Sequence, residues 1–236
     1  MKYIPGDCSP SRNVESRIDI PCNAKFGDTV YAHVTLTSPN HDYENYVYFI
    51  IIIDDGSDPP ISLESINCTL LRNDQNMGKG AALLKGLNYA QTSGFTHAVT
   101  LDADNQHDPE YLPLFLECDE NISIVLGSRE FDHTMPVHRK ISNKLTSNII
   151  SRICKTKILD SQCGYRRYRL QDVCSKTYSE SGFQFESEVL IKLLRDNCSL
   201  KHISVPTIYS NENSAMHNFR DTFKFINLIF RHILQS

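Results

Sequence analysis

Three apolar runs rich in β-branched and aromatic residues each stop at a polar cluster. They are "NYVYFIIIIDDGS" (45–57), which ends at Asp54-Asp55, "HAVTLDAD" (97–104), which ends at Asp102 and Asp104, and "ISIVLGSR" (122–129), which ends at Arg129. A run of this length without polar alternation reads as a strand buried on both faces, and such strands belong to parallel sheets covered by helices. Between the runs lie "GKGAALLKGLNYAQTSG" (78–94), apolar at helical spacing with a glycine at its exit, and "DPEYLPLFLE" (108–117), whose proline suits a first helical turn. The alternation predicts an α/β fold, a mostly parallel sheet with helices on both faces. In open sheets of this kind ligands bind beyond the carboxyl ends of the strands, where all three polar clusters fall.

A length of 236 residues fits a single domain with a real core. The expected organisation is a tail over 1–16, the catalytic-sized domain over 17–217 with a first strand at "RIDIPCN" (17–23), and a terminal amphipathic helix over 218–236. In the second half "NKLTSNIISRI" (143–153) and "ESEVLIKLLRDN" (186–197) predict helices, "DSQCGYRRYRL" (160–170) a loop and short strand, and "SLKHISVPTIY" (199–209) a strand. The segment "NFRDTFKFINLIFRHIL" (218–234) sets Phe219, Phe223, Ile226, Phe230 and Ile233 on one face, with Arg220, Lys224 and Arg231 mostly off it. That is the pattern of a helix lying in a membrane interface, or of one packed on the domain.

A net charge of −4 supplies no global field for nucleic acid. The eight cysteines form no Cys-x-x-Cys pair, which argues against zinc and for reduced thiols in the cytoplasm. The first residues contain no apolar signal core, and no window approaches the roughly 18–20 apolar residues of a spanning helix. Action on a membrane would therefore be from its surface or through a membrane-anchoring partner.

Carboxylates at a strand end are costly unless solvated, hydrogen-bonded or paired with a cation. Asp102 and Asp104, one residue apart, offer the oxygen ligands that Mg²⁺ or Mn²⁺ takes while sharing its shell with substrate phosphate. "NMGKGAALLKG" (76–86) sets backbone amides and Lys79 at a glycine-rich helix start, suited to a diphosphate, without the Walker spacing.

The ordered set "IDDGS", "N-x-GKG-x-A", "LDAD-x-QH-x-PE", "GSR", "R-x-x-SN", "D-x-QCGYR", "F-x-F-E-x-E" and "VPTIY" resembles the family 2 glycosyltransferases of GT-A fold. Within that family it is similar to the polyprenyl-phosphate (dolichyl-phosphate) mannosyl- or glucosyltransferase branch. The resemblance implies an inverting hexose transfer from a nucleoside diphosphate sugar, of the GDP-mannose or UDP-glucose class, to a polyprenyl phosphate. By the same resemblance Asp54 reads the nucleotide base, with Asp55 and Gly56 in its loop and Pro21 and Lys79 beside the sugar nucleotide. Asp102, Ala103 and Asp104 form the donor and metal motif, and Gln106 reaches the metal or the acceptor phosphate. Arg129, Arg139 and Asn143 hold the lipid phosphate, a match to the bidentate fit of guanidinium on phosphate. Asp104, Arg129, Arg139 and Asp160 are the expected catalytic set, and the expected location is peripheral at the inner face of the membrane.

Where the family has Ile-Pro-x-Tyr-Asn-Glu this chain has "IPCNAK" (20–25), so those contacts do not carry over. Arg220 and His217 are candidates for a further arginine-type contact near the C-terminus. Two alternatives remain open at this point: a transferase acting on a glycan hydroxyl, with Asp160, Glu186 or Glu188 as general base, and a non-catalytic sugar-nucleotide binder.

Overall fold

The computed structural model describes residues 30–37, 47–62, 68–102, 106–129, 135, 137–206 and 218–234. Its strands are β1 (Val30–Thr37), β2 (Val47–Asp54), β3 (Thr69–Arg72), β4 (His97–Asp102), β5 (Ile124–Arg129), β6 (Arg166–Arg169) and β7 (Leu200–Val205). They form one sheet in the order β3-β2-β1-β4-β6-β5-β7. β1 runs antiparallel to both β2 and β4, and β6 antiparallel to both β4 and β5, whereas β3 is parallel to β2 and β7 to β5. Two reversals restore direction, so β2, β3, β4, β5 and β7 all point the same way. Their carboxyl ends put Asp54, Arg72, Asp102 and Arg129 on one edge, and the segment entering β6 at Arg166 arrives at that edge too.

The helices are α1 (Lys79–Thr92), α2 (Leu112–Leu116), α3 (Val137–Cys154), α4 (Leu170–Val173), α5 (Phe185–Arg195) and α6 (Asn218–Leu234). Leu83 and Leu87 of α1, Val99 and Leu101 of β4, Val125 and Leu126 of β5, and Val189, Leu190 and Leu193 of α5 share one buried core. Burying each such side chain contributes about 1.5–3 kcal/mol, so this shared core fixes the sheet edge that carries the polar groups. The last helix joins the core through Leu228 and Ile229. Its opposite face leaves Phe223, Ile226, Phe230 and Ile233 exposed. No helix among the described residues is long and apolar enough to cross a membrane.

Several expectations shift. The strand expected at 17–23 lies outside the described residues; the first described strand is β1, which the sequence reading passed over. "VYAHVTLT" nonetheless alternates in sequence, Val30, Ala32, Val34 and Leu36 with Tyr31, His33, Thr35 and Thr37, the ordinary mark of a strand. The sheet is mixed because β1 and β6 run against the other five. The helix expected from 143 begins at Val137, and 108–117 splits into a 3-10 turn (Pro109–Tyr111) followed by α2.

Candidate active site

The loop after β2 is built on two buried carboxylates. Asp54 accepts from the backbone amides of Ser57 at 2.8 Å and Ile61 at 3.3 Å and from the Arg72 guanidinium. Register explains the last contact, since Asp54 and Arg72 are partners at the ends of the parallel strands β2 and β3. Burial pushes the Asp54 carboxyl up, but these hydrogen bonds outweigh it and hold the group below its ordinary range. Asp55 accepts from Asn73 Nδ2 at 2.7 Å and from the amides of Met77 at 2.9 Å and Gly78 at 2.8 Å. The two aspartates thus tie the β2 loop to the segment that starts α1. Gly78 sits at φ 96°, and a Cβ there would meet Ser181 O at 2.6 Å. Of the amides at the start of α1, that of Gly78 is bound by Asp55 and that of Ala81 donates to Ser181 O at 3.0 Å.

At the end of β4 the Asp102 carboxylate holds a cation already. Lys79 Nζ lies 2.8 Å from Asp102 Oδ1 and 3.0 Å from Oδ2, and also 3.0 Å from Glu186 Oε2 in the first turn of α5. Burial raises the Asp102 carboxyl, yet the Lys79 ammonium, with His107 and Arg166 behind it, brings it below its ordinary value. Glu186 Oε1 is buried and has no hydrogen-bond partner among the described residues; Arg166 Nε stands 3.6 Å away. Arg166 is wholly buried and spends its guanidinium on the carbonyls of Cys163 (2.7 Å), Glu186 (2.9 Å) and Ser161 (2.8 Å). It locks the β6 approach to α5 and so fixes Glu186 opposite Asp102. Gly164 lies flat against the same carboxylate, for a Cβ would meet Asp102 Oδ2 at 2.6 Å.

The third cluster forms where β5 ends. Arg129 Nε and Nη2 grip Asp160 Oδ2 and Oδ1 at 2.7 and 3.1 Å, with Asp160 completely buried. The next residue, Ser161, takes its amide to Ser147 Oγ on α3 at 2.9 Å. Arg139, Asn143 and Ser147 follow one another at helical i,i+4 spacing along α3. Arg139 and Asn143 are half-buried, so they share the helix face that leads through Ser147 to the Arg129–Asp160 pair.

Pro21, Ala103 and Asp104 lie outside the described residues, as does His217. Gln106 is half-buried next to His107, whose Nδ1 accepts from the Asp102 amide at 3.0 Å. Asp108 leaves the strand-end cluster: its side chain caps the 3-10 turn by accepting from the Glu110 amide at 2.9 Å. The three carboxylates weighed as general bases all have partners. Asp160 holds Arg129, Glu186 holds Lys79, and Glu188 binds the amides of Ser179 and Glu180 together with Lys192. Arg72, Arg166 and the pairing role of Glu186 were not anticipated.

Among the described residues no group of three His, Cys, Asp or Glu gathers as a ready metal site. Asp102 still suits a hard divalent cation: it is a carboxylate that already carries an ammonium on both oxygens, with Gly164 packed closely against it.

The model of glycosyl transferase family 2 matches residues 32–176. A UDP-N-acetylglucosamine–dolichyl-phosphate N-acetylglucosaminyltransferase of Methanococcus voltae is 28% identical over 204 residues, 75% of this chain and 79% of that protein. An undecaprenyl-phosphate mannosyltransferase of Micrococcus luteus is 26% identical over 160 residues, 62% of this chain and 66% of that one. Among solved structures, glucosyl-3-phosphoglycerate synthase from Mycobacterium tuberculosis, in complex with Mn²⁺, UDP-glucose and phosphoglyceric acid, aligns with a TM-score of 0.55 at 16% identity. That alignment covers 70% of this chain and 60% of the solved one, and it bears on the fold, which is GT-A.

Proposed function

Because the chain belongs to the family 2 glycosyltransferases, we propose that it transfers a hexose from a nucleoside diphosphate sugar to a polyprenyl phosphate, with Mg²⁺ or Mn²⁺ held by Asp102 and Asp104. The observation that carries the acceptor class is the Arg129 guanidinium, clamped by the buried Asp160 on the sheet edge that also presents Asp102. The names of the Methanococcus and Micrococcus relatives, both transferases to lipid phosphates, support the same reading.

In this reading Asp54 and Asp55 act through the loop they tie, which forms the wall for the nucleotide. A divalent cation at Asp102 would screen the departing diphosphate as a Lewis acid. Lys79, released from Asp102, would turn its ammonium to that diphosphate while Glu186 keeps it in place. Arg129, Arg139 and Asn143 would bind the acceptor phosphate, with Gln106 at the side of the metal motif. A phosphate monoester is already ionised at neutral pH, so attack on the anomeric carbon needs no base, only alignment. This agrees with the engagement of Asp160, Glu186 and Glu188 in ion pairs. Inversion follows from a single in-line displacement. We place the protein at the cytoplasmic face of the membrane, with the outward apolar face of α6 as an interfacial contact.

The test is to incubate the full chain with Mn²⁺ or Mg²⁺, a panel of GDP- and UDP-sugars and a short polyprenyl phosphate, alongside Asp104→Ala. Metal-dependent glycolipid that the variant fails to make supports the reading. Absence of product with every donor, while donor still binds, would remove it.

A further inference from the structure

The N-terminal half of α3 stands out from the domain. None of its described side chains from Val137 to Thr146 is buried. Val137, Ile141 and Leu145 are 69%, 62% and 58% exposed. At 100° per residue these three fall within an arc of about 80°, a continuous apolar stripe of the kind that soluble surfaces avoid.

The charged side chains of the helix itself have one sign. Residues 137–154 contain Arg139, Lys140, Lys144 and Arg152 and no aspartate or glutamate, in a chain whose net charge is −4. Lys140 and Lys144 border the apolar arc on its Val137 side and Arg152 falls within it about two turns beyond Leu145, while Arg139 and Asn143 lie roughly 160–200° from Ile141, on the face that leads to Arg129. One helix therefore presents Arg139 and Asn143 to the site and, to the outside, an apolar face flanked by lysines along one side.

We infer that the Val137–Ile141–Leu145 face of α3 is a docking surface for an anionic lipid bilayer. Apolar side chains of this kind enter the headgroup boundary, and each Lys or Arg near an anionic surface adds attraction that salt screens. The purpose assigned to this surface rests on the lipid-acceptor reading: a helix is about 10 Å across, so docking by its outer face brings Arg139 and Asn143 to within one helix diameter of the headgroups. The face is separate from the apolar side of α6, which belongs to a different helix.

The test is co-sedimentation of the full chain with phosphatidylcholine vesicles, with and without about a third of phosphatidylglycerol, at low and high salt. The variants are Ile141→Ser/Leu145→Ser, Lys140→Glu, and Phe230→Ser on α6. The wild type is expected to bind anionic vesicles in a salt-sensitive way. The double serine variant should bind at least about tenfold more weakly, with unchanged far-UV circular dichroism and unchanged metal-dependent donor hydrolysis. Lys140→Glu should weaken binding on anionic vesicles only, and Phe230→Ser should leave the effect of the α3 changes in place. Wild-type failure to bind, a double variant that binds like wild type, or a loss of self-association in place of vesicle binding would overturn the inference. Vesicle binding that depends on α3 in a protein that forms no glycolipid would instead remove the lipid-acceptor reading and leave the docking surface standing.

Discussion

In the proposed function, Lys79 is the residue on which the donor side of the site turns. Its ammonium occupies both oxygens of Asp102, so it competes with any divalent cation for the same carboxylate. Lys79→Gln should therefore tighten Mn²⁺ binding in the absence of nucleotide by about tenfold, measured by electron paramagnetic resonance, and weaken nucleoside diphosphate binding by a similar factor. Weaker Mn²⁺ binding in the variant would refute the competition. Asp160 makes the opposite kind of prediction. Removing its charge leaves the Arg129 guanidinium without its buried partner, and Asp160→Asn should cost about 3 kcal/mol in urea denaturation. The sequence disclosed Lys79 and Asp102 because each sits at a recognisable turn after a strand or before a helix. It could not disclose that Glu186 shares the ammonium, since α5 reaches β4 only through the register that Arg166 sets.

At the scale of elements, the segment leading into β6 decides whether Asp102 can face the site. Gly164 touches that carboxylate so closely that Gly164→Ala must displace it, because a Cβ would sit 2.6 Å from Oδ2. Activity should fall at least about a hundredfold while the thermal midpoint shifts by only a few degrees, a split that differential scanning fluorimetry and a turnover assay can read. A variant that folds and turns over normally would mean that Asp102 has no fixed position in the reaction. Buried strands such as β2, β4 and β5 were legible because they are long and apolar. The strands that run the other way were harder: β6, "RRYR", carries three arginines, of which Arg166 and Arg167 are buried against carbonyls rather than exposed as their type suggests. The first turns of α3, before Asn143, were not legible because their apolar stripe of Val137 and Ile141 is sparse and faces outward rather than into the core.

Across the whole molecule, three histidines that the fold holds below their ordinary value add to the loss of stability in acid. Burial lowers His97, His202 and His232 from 6.5, and the neighbouring cations Arg167, Lys157 and Arg195 add to it. His97 Nε2 donates to Glu120 O at 2.9 Å, which a neutral ring can do while Nδ1 faces Thr96. With folded values below the unfolded one, the unfolded chain binds more protons below pH 6.5. Their contribution is therefore complete above that pH and is lost as the pH falls through the folded values. The urea midpoint should decline from pH 6.5 downward, and His97→Gln should flatten that slope; a midpoint that rises on acidification would contradict it.

In the proposed function, the end of β4 at Asp102, the Arg129 guanidinium clamped by Asp160 and the basic helix α3 serve one reaction, transfer to a lipid phosphate. The most direct measurement is single-turnover transfer of labelled sugar to a polyprenyl phosphate and, in parallel, to the matching polyprenol that lacks the phosphate. Product with the phosphate alone, lost in Arg129→Met, is the predicted result. Equal product with the free alcohol, or product unaffected by the loss of Arg129, would contradict the assignment of a phosphate acceptor.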